Sequence, residues 1–137
     1  MTIGRLRRLL HPRQLYAVAV VAVVEIGLHT LDLPRLARLL GVRLGVDGDA
    51  VPTGKPLPQD IRRQARLMHR ALRRWPFGNT CLRRALVLGH LIRAADPVLH
   101  IGVRRDENDG ILAHAWLEVD GITLDPSAAE FLTLQQI

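Results

Sequence analysis

No segment restricts the fold of this 137-residue chain more than "AHAWLEVDGITLD", residues 113 to 125. Apolar and polar residues alternate on both sides of Asp120-Gly121, a dipeptide suited to the positive φ values that a two-residue hairpin turn requires. With those two residues as the turn, Val119 faces Ile122, Leu117 faces Leu124 and Trp116 faces Asp125. Successive strand side chains point to opposite faces, so Ala115, Leu117, Val119, Ile122 and Leu124 share one apolar side that must meet a core. His114, Trp116, Glu118, Thr123 and Asp125 share the other. In this register His114 and Asp125 are diagonal neighbours with backbones about 7 Å apart, which side chains can bridge. Asp120, six strand residues from His114, is roughly 20 Å away and is not its partner.

The rest of the chain must supply the core that this hairpin covers. "PVLHIGVRR" and "ILAHAWLEV" read as two strands joined by the polar turn "DENDG", with "ITLD" as a third. Before Pro97 the apolar period is helical. Residues 14–29 form an apolar helix, and "DLPRLARLLG" a short second one, with Pro34 in its first turn and Gly41 just past its end. Residues 42–58 are dense in Gly and Pro and read as a loop. That loop divides an N-terminal helical region, 1–58, from a core, 59–137, within one compact unit.

A third helix is expected from Asp60, as N-cap, to the Trp75-Pro76 step. Ile61, Ala65, Met68, Leu72 and Trp75 share one face of it, and Arg62, Arg63, Arg66, Arg70, Arg73 and Arg74 form a solvated opposite face. "FGN" makes a turn, and Asn79 or Thr80 caps a fourth helix over residues 81–94.

Composition narrows the function classes. A single cysteine excludes an internal disulfide and points to a reducing compartment, the cytoplasm. Eighteen of the 19 basic residues are arginine and the net charge is +6, which favours an anionic partner. The apolar run from Leu15 to Val24 is too short to span a bilayer and stops at Glu25, so a buried or partner-facing helix is expected, with peripheral membrane contact as the alternative. There is no zinc-type spacing and no phosphate-cradling loop, so no metal or cofactor is expected. A basic nucleic-acid-binding module built on the third helix is the non-enzymatic reading. Aromatic stacking residues are too few to favour it, and no nucleic-acid partner is expected.

The lone cysteine, Cys81, stands where the fourth helix begins. There the helix dipole and free backbone N–H groups favour a thiolate and can receive an oxyanion. With His114 oriented by Asp125 on the hairpin, Cys81 completes a Cys-His-Asp nucleophilic triad.

"GNTCLRRALVL", "LHIGVRR" and "AHAWLEVDGITLD" resemble the transglutaminase-like cysteine protease superfamily, in particular the leader peptidases of bacterial lasso-peptide maturation. The likeness is strongest over residues 75–126. It implies an α+β fold: N-terminal helices followed by a transglutaminase/papain-like core, with the nucleophile helix packed on a small antiparallel sheet. It also implies Cys81 as nucleophile, His114 as base and Asp125 as orienter, acting on one peptide bond of a ribosomally made precursor. The partners implied are the precursor's leader, a separate leader-recognition protein and the lasso cyclase. Transfer of the acyl group to an amine, as transglutaminases perform, is the alternative chemistry. Asn79 and Trp75 are near enough in sequence to be considered as oxyanion donors, but capping and core packing account for them.

Overall fold

Proline and a capping side chain decide where the first helix starts. The computed structural model describes residues 11–45, 58–78, 80–105, 107–108, 110–124 and 132–133. Helix α1 spans Pro12–Thr30, with Pro12 in its first turn and the His11 ring accepting from the Arg13 N–H at 3.3 Å. Proline is preset for that position because its missing N–H is one that a helix start leaves unpaired anyway. Ala17, Val20, Val21 and Val24 are buried on one side, while Leu15, Val18, Val23 and Ile26 are exposed on the other. Among the described residues no helix is long and apolar enough to cross a membrane.

Helix α2, Leu33–Leu40, is capped by Asp32, whose side chain accepts from the Arg35 N–H, and ends at Gly41 with φ of 80°. Helix α3, Gln59–Arg73, begins two residues earlier than the sequence suggests. Pro58, with φ of −55°, occupies the cap position, and Asp60 lies inside the first turn, where its charge favours the helix dipole. Its apolar face is as expected: Ile61, Met68 and Leu72 are buried and Ala65 and Trp75 half-buried, while all six arginines of the other face are exposed.

Helix α4, Cys81–Leu91, is capped by Thr80 and gives way to a 3-10 turn, Arg93–Ala95, where the sequence suggests a helix continuous to residue 94. Two long strands follow, β2 (Val98–Arg105) and β3 (Ile111–Val119), antiparallel along their whole length. Strand β4, Ile122–Thr123, returns across Asp120 and Gly121, whose φ values of 51° and 76° are those of a type I′ turn. The register is the expected one, Val119 opposite Ile122 and Glu118 opposite Thr123, and the Leu124 N–H donates to the Leu117 carbonyl at 2.9 Å.

The fold is α+β, as expected, but its sheet is mixed rather than purely antiparallel. Arg43 and Leu44, inside the stretch read as loop, form a parallel strand, β1, against Val98 and Leu99. Arg43 holds that edge through two bonds to Asp96, at 2.9 and 2.7 Å. Further along the same edge of β2, Gly102 and Val103 pair with β5, Leu132–Thr133.

One hydrophobic cluster runs from Ala17 to Val119, so both sides of the 42–58 loop contribute to the core. Gly89 lets α4 approach closely: a Cβ there would lie 2.6 Å from Val42 Cγ2. A largely buried ion pair joins α1 to α4. Buried Glu25 accepts from Arg83 Nε at 2.6 Å and from its Nη2 at 3.0 Å. The Arg83 guanidinium, chiefly, with smaller help from His29 and Trp75, holds the Glu25 carboxyl down to about 2 against the opposing effect of burial.

Two expectations follow from this packing. Gly89→Ala should gain helix propensity yet lose about 1–2 kcal/mol net by urea unfolding, because β-branched Val42 cannot swing aside. Glu25 binds a proton more readily in the unfolded chain, so the stability it contributes is complete above pH 4.5 and is lost as pH falls towards about 2. Glu25→Gln should therefore lower the melting temperature at pH 7 and flatten the stability profile across that acid window.

Candidate active site

Capping fixes the sulfur's position. The Thr80 hydroxyl accepts from the Arg83 N–H at 3.3 Å, which makes Cys81 the first residue of α4. Its thiol is half-buried and belongs to no disulfide. At that position the free N–H groups of the first turn lie close by, the setting in which a thiolate or an oxyanion is favoured. Arg83 also donates from Nη1 to the Thr80 hydroxyl at 3.3 Å, so the pair with Glu25 steadies the same helix end.

His114 lies on β3 opposite Gly102 and is half-buried. Its ring stacks on buried Trp116, with centroids 6.0 Å apart and planes 23° apart. Trp116 in turn stacks on buried His100 at 5.7 Å, and His100 Nε2 lies 2.9 Å from the Glu118 carboxylate. The second face of the hairpin is thus no bare polar surface. A column of three rings runs along it and ends on a carboxylate. Gly45 closes over His100 so tightly that a Cβ there would meet the imidazole.

Cys81 and His114 line one cavity of about 370 Å³. Helix α3 forms one apolar wall with Ile61, Ala65 and Met68, and Leu88, Leu117 and Leu124 continue it. Arg84 and His69 add polar groups to the lining. A cavity of this size, mostly apolar with a few convergent polar groups, suits a ligand side chain beside reactive atoms.

The expected third member, Asp125, lies outside the described residues, and so does Asn79. Trp75 is half-buried against the core, with its ring 5.7 Å from that of Phe77, in keeping with a packing role. His69 is exposed, and His90 is occupied elsewhere, by Tyr16 at 2.8 Å and the Leu40 carbonyl at 2.9 Å. Sequence reasoning passed over three features of the site: the α3 wall, Arg84 and the Glu25–Arg83 anchor. Only the anchor left a trace, a carboxylate inside an apolar run that asks for a buried partner.

Residues 27–136 match the family model described as the transglutaminase-like superfamily. The chain belongs to that superfamily. Its members include cysteine peptidases and acyltransferases, enzymes that work through an acyl group on a cysteine. No curated protein and no solved structure matches the chain.

Iodoacetamide near neutral pH should modify the native protein once, at Cys81, as read by intact mass. His114→Ala should slow that labelling about tenfold, because the imidazole that lines the same cavity no longer assists the sulfur.

Proposed function

We propose that the protein is a cysteine peptidase that removes the leader from a ribosomally made lasso-peptide precursor, through Cys81, His114 and Asp125. What carries the reading is the meeting of Cys81 and His114 at a single cavity in a chain of the transglutaminase-like superfamily. In this mechanism His114 takes the proton of Cys81, and the thiolate attacks the carbonyl that ends the leader. The oxyanion faces the first-turn N–H groups of α4. His114 then returns its proton to the departing amine, and water hydrolyses the acyl-enzyme with His114 as base again. Asp125 orients the imidazole. No step calls for a metal or an organic cofactor.

A separate leader-recognition protein and the lasso cyclase are the partners this reading implies. The exposed apolar side of α1 and the arginine face of α3 are surfaces open to them. Transfer of the acyl group to an amine uses the same three residues and differs only in what reaches the thioester.

The test is incubation with a precursor and its recognition protein, with product masses read over time. The free leader carboxylate and the core with a new N-terminus are expected. Cys81→Ala and His114→Ala should each lose at least about a thousandfold in rate. Undiminished cleavage by Cys81→Ala would sink the proposal, and an amide-linked leader would replace hydrolysis by transfer.

A further inference from the structure

Two consecutive arginines follow the thiol on α4, and the fold uses them differently. Arg83 turns towards α1 and is neutralised by Glu25 at 2.6 and 3.0 Å. Arg84 lines the cavity that holds Cys81 and His114, half-buried, and among the described residues no carboxylate pairs with it. Nor, among the described residues, does any Asp or Glu contribute to the cavity lining. With Asp125 assigned to the imidazole, a guanidinium partly withdrawn from water, beside apolar walls and unpaired among the described residues, favours an anion brought in from outside. A planar carboxylate is the group its forked donors fit best.

The spacing says where that carboxylate must sit. Residues three apart on a helix stand on neighbouring turns of one face, about 5–6 Å apart at Cβ. An extended peptide advances about 3.3 Å per residue. A substrate whose scissile carbonyl lies at Cys81 therefore presents to Arg84 a side chain one or two residues from the cut. The apolar lining, Ile61, Met68, Leu88 and Leu124, takes an uncharged side chain next to it.

We propose that Arg84 is a specificity-determining residue that binds a carboxylate side chain of the substrate within two residues of the bond attacked by Cys81, so that the site selects an apolar-acidic peptide segment. The peptide part of this statement rests on the peptidase reading above; the carboxylate site at Arg84 does not.

A pair of small alkylating agents separates the two. Iodoacetate and iodoacetamide react alike, the thiolate sulfur forming a bond to the methylene carbon as iodide leaves, but only iodoacetate carries a carboxylate. The ratio of their rates at Cys81, followed by intact mass, cancels any change in thiol reactivity. Arg84→Gln should lower the iodoacetate to iodoacetamide ratio about tenfold, and Arg84→Lys should restore part of it. In the wild-type protein, added salt should slow iodoacetate and leave iodoacetamide unchanged, a readout that needs no variant to fold. Equal ratios in wild type and Arg84→Gln, or a wild-type ratio indifferent to salt, would overturn the proposal.

With a cleavable precursor, replacing the acidic residue nearest the cut by its amide should raise KM about tenfold with kcat unchanged in the wild type and have no effect in Arg84→Gln. The same rise in both proteins would show that Arg84 does not read that carboxylate. If no peptide is cut at all, the peptidase reading fails, and the alkylation ratio still decides the carboxylate site.

Discussion

The contact between Glu25 and Arg83 fixes α1 against the start of α4. Hydrophobic burial presses α1 onto α3 and α4, yet apolar side chains tolerate small slides and rotations. A carboxylate gripped by both Nε and Nη2 of one guanidinium does not, because its two bonds fix a plane as well as a distance. Arg83 lies two residues after Cys81 and also donates to the Thr80 cap, so whatever fixes Arg83 fixes the start of α4. Removing either partner would leave the other charge buried without an equal, which is why the pair is a structural constraint and not an ornament.

The hairpin supplies the second half of the geometry. Type I′ turns match the natural twist of two strands, and the Asp120-Gly121 turn leaves Val119 opposite Ile122 with no slack. A slip of one residue would carry His114 to the other face and bury Glu118 in the core. Trp116 and His100 make such a slip costlier still. Their rings fill the side that His114 shares, and Glu118 closes the column at 2.9 Å from His100.

Local signals were legible in the chain and distant ones were not. The hairpin, its register and the apolar face of α3 could be read directly, since alternation and 3.6-residue spacing are written in neighbouring residues. Strand β1 could not, because two residues carry no period, and a parallel edge forms only once β2 is present to receive it. The two-residue strand at Leu132 has no local signature for the same reason. Glu25 announces that it needs a partner, but nothing in the sequence says that the partner stands 58 residues away. Likewise Ile61, Ala65 and Met68 read as generic core positions. That they also wall the cavity beside Cys81 follows from how α3 crosses α4, a tertiary fact without a local signature.

Sulfur and imidazole come from elements of different kind, and their separation depends on how a helix lies on a sheet. Ala85 and Leu88 of α4 and Ala115 and Leu117 of β3 are buried in the same hydrophobic cluster. Gly89 removes the side chain that would hold the two apart at the far end, where Val42 and Leu117 come within reach of its missing Cβ. A helix seated closely at its C-terminal end and clamped by an ion pair at its N-terminal end has little freedom to tilt. The thiol at its tip is then held at the cavity by packing and by that ion pair together. A site assembled in this way is preorganised by its core, so the side chains that fill the core are as much a part of the chemistry as the groups that face the substrate.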